Sequence, residues 1–172
     1  DIADIEVLAA CYADDVGLVP DFISKTSFLQ KSVLDQFDFK KKIKYPIIAE
    51  ILEKAMNESD AEFIIYSNID IGLYPDFYIK VIELLNQGCD ALIINRKRIE
   101  PIYSKPSELD KIFVQEGKSH PGFDCFVFHR SLFEKMFLEN ICIGVPFIEI
   151  SFSQNLFHLA KKFKLVKTND FT

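Results

Sequence analysis

The sequence contains no tryptophan and only three histidines, and its four cysteines lie far apart. Because no cysteines form a CxxC pair and no histidines have the HxxxH spacing, the sequence disfavours a zinc knuckle, a redox motif and a helical zinc site. Three of the four cysteines have apolar neighbours, so we expect them to be small core residues. Cysteines without a disulfide pattern favour a reducing compartment and therefore a cytoplasmic location.

Long apolar runs and basic stretches are also scarce. No apolar run has the length of a transmembrane helix, and no basic-then-apolar signal peptide is visible. The formal net charge of -6 argues against non-specific nucleic-acid binding, which needs a basic face. With 172 residues, of which 49% are hydrophobic and 27% charged, the chain is predicted to be one globular domain. Phenylalanine, with 17 copies, and isoleucine are expected to fill its core.

Strands and helices alternate in the centre of the sequence. An apolar stripe at helical spacing predicts a helix over 46–57, and a second helix over 75–87 ends at a glycine. Apolar runs predict buried strands at 62–67 and 90–95. This alternation predicts an α/β fold with a parallel or mixed sheet. Elsewhere we expect strands at 4–12, in HPGFDCFVFHR and at 164–167, and helices around 28–37, 107–113, 131–138 and 146–162.

A short polar cluster, Asn68-Ile69-Asp70, follows the strand FIIY and precedes a glycine and a proline. Ligands of α/β sheets bind at the carboxyl ends of the strands, where a carboxylate can hold Mg2+ or Mn2+. Turn formation is the more frequent reason for Asn and Asp at such a position. A dehalogenase-type phosphohydrolase is disfavoured because Asn68 occupies the position of the nucleophilic aspartate.

Cations follow the next predicted strand, where Arg96-Lys97-Arg98 comes directly after DALIIN. We expect the two strands to be neighbours, so that the carboxylate of Asp70 and the guanidinium groups of Arg96 and Arg98 lie at one edge of the sheet. That combination suits a diphosphate bound with a metal ion.

A second candidate group is the stretch His120-Pro121-Gly122-Phe123-Asp124. It is either a loop leading into a strand or one wall of an acceptor site. In the second case Asp124 is a general base for an acceptor hydroxyl, His120 a hydrogen-bonding neighbour, and Gly122 allows close approach of a ligand. Glu149, which begins the helix at 146–162, is a reserve candidate for the base, although acids there commonly stabilise the helix dipole.

The stretches DIADIEVLAACY, KYPIIAEIL, YSNIDIGLYPDFY, CDALIINRKR, HPGFDCFVF and NICIGVPFI resemble a group of proteins in the nucleotide-diphospho-sugar transferase superfamily. This resemblance covers most of the chain. It implies a Rossmann-like GT-A domain, a three-layer α/β/α sandwich with a mostly parallel sheet. It also implies a glycosyltransferase of hexosyltransferase type, with a nucleotide-diphosphate sugar as donor, a hydroxyl acceptor, and Mn2+ or Mg2+ near Asp70.

The chain also departs from the GT-A pattern. The first, nucleotide-binding strand and a late metal-binding histidine segment are expected outside residues 1–172. The motif at 68–70 is NxD, with one carboxylate where many GT-A enzymes have two. These departures favour an alternative, a catalytically inert GT-like binding or scaffold module.

Overall fold

A computed structural model describes residues 4–103, 105–144, 148–167 and 171–172. The chain divides into two compact units, Asp1–Glu62 with Arg130–Leu159, and Phe63–His129 with Ala160–Thr172. We call them the first and the second unit. Since each unit combines two separate segments, the single domain over 1–172 stays a prediction. No helix within the described ranges is long and apolar enough to cross a membrane.

The main elements follow the predicted alternation, with several shorter than expected. The helices are α1 (Ile48–Glu58), α2 (Phe77–Asn86), α3 (Leu109–Phe113) and α4 (Ile148–Leu159). The strands are β1 (Leu8–Ala9), β2 (Ser24–Lys25), β3 (Phe63–Ser67), β4 (Ala91–Arg98), β5 (Lys118–His129) and β6 (Phe163–Val166).

Two predicted helices are wrong. Instead of a helix around 28–37 there is one 3-10 turn, Val33–Asp35, because Ser32 and Asp35 form a local capping box that fixes this turn. A 3-10 helix, Arg130–Lys135, replaces the helix expected over 131–138. Residues 146 and 147 of the last predicted helix lie outside the described residues.

The first unit contains the short parallel pair β1–β2 and the helices α1 and α4. Its α1 carries a buried acid, Glu50, with 6% of its surface exposed. The two carboxylate oxygens of Glu50 accept the backbone N–H groups of Gln30 and Lys31 at 2.8 and 2.9 Å. A carboxylate shared by two backbone donors ties the preceding loop to the start of α1.

The second unit contains a four-stranded mixed sheet with the order β3-β5-β4-β6. Three strands run in the same direction, so the sheet is mostly parallel by strand direction, as predicted. β5 runs antiparallel to both of its neighbours. The expectation that β3 and β4 are neighbours is wrong, because β5 lies between them and fills the space next to the strand ends.

Apolar side chains of α2 cover one face of this sheet. Phe77, Val81 and Leu84 pack with residues that alternate along β4 and β5, as one face of a pleated sheet requires. The buried sheet residues of this cluster are Leu92, Ile94, Cys125, Val127 and Val166. These contacts establish a helix layer on a sheet layer, whereas the three-layer GT-A sandwich stays a prediction.

Candidate functional site

Irregular pairing between β4 and β5 shapes the edge of the sheet where β3 and β4 end. Ile94 pairs with Cys125 and Asn95 with Phe123, so Asp124 is an extra residue in β5. The next aligned pair is Lys97 with Ser119, which leaves only Arg96 opposite three residues of β5. Such bulges turn side chains out of the regular alternation. Here the irregular segment contains Arg96 and all the candidates of β5.

Four of the predicted site residues form one chain of polar contacts at this edge. The Asn68 Nδ2 group donates to Asp124 Oδ1 at 3.3 Å, and Arg96 Nε donates to Asp124 Oδ2 in an ion pair. Arg96 Nη2 lies 3.4 Å from His120 Nε2. The side chains of Arg96 and Asp124 are 24% and 20% exposed, so water screens the pair only partly. We call Tyr66, Asn68, Asp124, Arg96 and His120 the polar chain.

Tyr66 begins the polar chain and was missed by the sequence reasoning. Its hydroxyl donates to Asn68 Oδ1 at 3.2 Å. Burial, with a smaller effect of the Asp124 charge, raises the pKa of the Tyr66 phenol above its ordinary value, so the phenol stays a donor. Strand periodicity was the available signal, because residues two apart in a strand point to the same face and Asn68 directly follows β3.

The two bonds of Asn68 explain why an amide occupies this position. Its Oδ1 atom accepts from Tyr66 and its Nδ2 group donates to Asp124. An aspartate at position 68 would lose the donor and bring a second negative charge next to Asp124. The NxD motif is therefore consistent with the polar chain, in which residue 68 must donate a hydrogen bond.

A cavity of about 200 Å3 in the second unit contains the other predicted cations and the predicted metal ligand. Asp70, Arg96 and Arg98 line it. Arg96 therefore belongs to both the cavity and the polar chain. The sequence places Lys97 in the same cation cluster. Sequence reasoning did not identify the remaining lining residues, which are Ile71, Gly72, Tyr74, Ile99, Ile112, Phe113 and Thr172.

Lys97 also contributes a positive charge to the cavity, and its position is fixed by backbone carbonyls. Its Nζ group donates to the carbonyl oxygens of Phe113 and Gln115 at 3.1 and 2.7 Å. The Tyr74 hydroxyl donates to the Phe113 carbonyl at 2.9 Å. The cationic side chains of Arg96, Lys97 and Arg98 outnumber the carboxylates of Asp70 and of Asp124, the partner of Arg96. Their formal charges sum to +1, which favours anions.

Asp70 is exposed and is the one acid among the described residues that line the cavity. The described part of the chain contains no group of three or more His, Cys, Asp or Glu side chains suited to hold a metal ion. Mg2+ in phosphate sites is commonly held by one or two carboxylates, with the substrate phosphates and waters as further ligands. Asp70 fits that mode, with a phosphate ligand providing the remaining oxygens.

The last two candidates, Gly122 and Glu149, lie in different units of the chain. The backbone N–H of Gly122 donates to His120 Nδ1 at 2.9 Å, so Gly122 fixes the histidine ring. Glu149 is half-buried in the first turn of α4 and belongs to the first unit, whereas every other candidate belongs to the second. Glu149 is therefore not among the residues that the second unit brings together.

Comparison of the chain with protein-family models, with curated proteins and with solved structures finds no match. The polar chain and the adjacent cationic cavity are therefore the observations on which a functional interpretation of this α/β protein depends.

Proposed function

We propose that the protein is a glycosyltransferase that moves a sugar from a nucleotide-diphosphate sugar to a hydroxyl acceptor. The observation that carries this proposal is the cationic cavity at the sheet edge, lined by Arg96, Lys97 and Arg98 together with Asp70. A diphosphate is an anion whose charge suits such a lining. The resemblance of YSNIDIGLYPDFY and HPGFDCFVF to the nucleotide-diphospho-sugar transferases supports the same conclusion.

In this proposal the diphosphate of the donor occupies the cavity. Ligand sites for complete small molecules are typically about 300–1,000 Å3. The cavity, at about 200 Å3, holds only part of the donor. The nucleoside and the sugar then lie outside it. Arg98 is exposed and forms part of the lining, so it can reach a phosphate without breaking a buried contact.

Asp70 is the residue that would hold Mn2+ or Mg2+. When bound, the metal supplies Lewis-acid neutralisation of charge on the leaving diphosphate. Arg96, which Asp124 holds in place, would stabilise the same charge with a fixed donor, and the exposed Arg98 adds a second cation. A hydroxyl acceptor also requires a group that takes its proton, for which Asp124 is the candidate in the second unit.

Calorimetric titration of UDP and GDP into the protein, with and without Mn2+, tests the proposal. We expect metal-dependent binding by the unchanged chain and its loss in Asp70→Ala. Asp76→Ala is a matched control because Asp76 is also an exposed acid of the second unit, at the start of α2. Tight, metal-dependent binding by Asp70→Ala would show that the metal position is wrong.

The alternative, a catalytically inert GT-like binding or scaffold module, is favoured by one observation. Both oxygens of Asp124 are engaged, one by Asn68 and the other by Arg96, so Asp124 is not poised toward an acceptor. Nucleotide binding without turnover of any nucleotide sugar would support this alternative. If no nucleotide binds, the donor site is excluded, and the result again favours the inert module over the glycosyltransferase.

A further inference from the structure

His120 is held in one tautomer by the backbone of its own strand. Its Nδ1 atom is 2.9 Å from the backbone nitrogen of Gly122, and a backbone N–H can only donate. Nδ1 must therefore be the accepting nitrogen of a neutral ring. The proton of neutral His120 then lies on Nε2, which makes Nε2 a donor.

The Nε2–H group of His120 faces another donor. Arg96 Nη2 lies 3.4 Å away, and a guanidinium group has no acceptor. Since both nitrogens of His120 cannot accept at once, the contact between Arg96 and His120 is a pair of converging donors. Two donors in such proximity repel each other unless an acceptor oxygen binds to both.

Asp124 holds the guanidinium of Arg96 in this place. It pairs with Nε of Arg96 and leaves Nη2 directed to His120. Asn68 donates to the other Asp124 oxygen, and Tyr66 donates to Asn68. Every contact from Tyr66 to Arg96 therefore has one donor and one acceptor. The last contact, between Arg96 and His120, has two donors and no acceptor.

We infer that Arg96 and His120 together bind one anionic oxygen of a phosphate group, and that Asp124 is a positioning residue for Arg96. Arg96 also lines the cationic cavity, so a phosphate in that cavity can reach the converging donors. The inference rests on the proposed function for the identity of the phosphate, which is then one phosphate of the donor diphosphate. Inorganic pyrophosphate contains the same chemistry without the nucleoside, which allows the two claims to be tested separately.

Calorimetric titration of pyrophosphate and of UDP into four variants tests the inference. Arg96→Gln and His120→Phe remove the donors, and each is expected to weaken pyrophosphate binding about 10-fold or more, as for the loss of a hydrogen bond to a charged group. His120→Gln keeps a donor near the position of Nε2 and is expected to bind within about 3-fold of the unchanged chain. Lys164→Gln, on β6, is the control for the loss of one positive charge in the same unit.

The outcomes separate the two claims. Pyrophosphate binding that depends on Arg96 and His120, without UDP or GDP binding, supports the anion site and overturns the glycosyltransferase proposal. UDP binding that is equal in His120→Phe and in the unchanged chain overturns the anion site and leaves the transferase proposal standing. Absence of binding for both ligands overturns both.

Nitrogen-15 NMR of the histidine rings gives a second measurement that needs no variant. We expect the Nε2–H tautomer of His120 in the free protein and a change of its Nε2 resonance when pyrophosphate is added. An Nδ1–H tautomer, or an Nε2 resonance that pyrophosphate does not change, would overturn the inference even if a variant failed to fold.

Discussion

The ion pair between Arg96 and Asp124 is the centre of the polar chain, and a double-mutant cycle measures its energy. The variants are Arg96→Gln, Asp124→Asn and the two changes combined. Asp124→Asn keeps the size of the side chain, Arg96→Gln leaves a shorter hydrogen-bonding side chain, and each replacement removes one charge. The change in the free energy of unfolding of the double variant, minus the sum of the changes in the two single variants, gives the coupling energy of the two residues.

The burial of the pair sets the expected magnitude. Two unit charges about 4 Å apart attract by about 1 kcal/mol in water and about 4 kcal/mol at an effective dielectric constant of about 20. The Arg96 and Asp124 side chains are 24% and 20% exposed, so the attraction between their charges is expected to lie between these two values. After part of the attraction is offset by desolvation, we expect a coupling of about 1–3 kcal/mol.

Lys80 and Asp76 provide a matched ion pair in the same unit. Their charged atoms are 3.0 Å apart, but their side chains are 26% and 52% exposed and lie one turn apart along α2. Pairs of this kind are worth about 0.3–0.5 kcal/mol. Urea unfolding followed by circular dichroism provides both couplings. A coupling of Arg96 with Asp124 no larger than that of Lys80 with Asp76 would refute the assignment of Asp124 as the residue that holds Arg96.

Three further predictions concern stability. Glu50→Gln is expected to lower the free energy of unfolding by about 2–4 kcal/mol, because one of two backbone donors loses its acceptor. Glu53→Gln, on the exposed face of α1, is expected to change it by less than about 0.5 kcal/mol. Urea unfolding of both variants compares the two. Gly117→Ala is expected to lower the free energy of unfolding by about 1–2 kcal/mol, because Gly117 has φ of +60° and a Cβ atom would lie 3.1 Å from the Arg98 carbonyl oxygen. Thermal unfolding measures this loss, and an unchanged melting temperature would contradict it. Burial, and to a smaller extent the Asp124 charge, raises the pKa of Cys125 from 9.0 to about 12. Between these pKa values the Cys125 thiol keeps its proton in the folded state and loses it in the unfolded state. The stability that this thiol contributes is therefore present below pH 9 and is lost as pH rises to about 12. In Cys125→Ala, the free energy of unfolding should fall less steeply over this pH range.

The local elements of the core were predictable because they depend on local patterns. The apolar stripe of 46–57 and the glycine after 75–87 are sufficient to identify α1 and α2. The apolar runs at 62–67 and 90–95 likewise identify β3 and β4. The antiparallel insertion of β5 was not predictable, since strand order depends on contacts between residues far apart in the sequence.

The composition of the site was more predictable than its connections. Polar residues after apolar strands identified Asn68 and Arg96, and a polar residue at the entry to a further strand identified Asp124. The structure brings the three together. Their pairing depends on the irregular register between β4 and β5, which no local pattern indicates. Tyr66 was missed because a tyrosine within an apolar strand is ordinarily a core residue.

The central claim is that a metal-bound nucleotide diphosphate occupies the cavity beside Asp70. Mn2+ is paramagnetic and broadens the NMR signals of nearby amides, so a spectrum recorded with UDP and a small amount of Mn2+ locates the metal directly. We predict broadening of the Ile69–Gly72 amides, with weaker effects at Arg96–Arg98. Broadening that is absent at Ile69–Gly72, or that is centred on other residues, would contradict the claim.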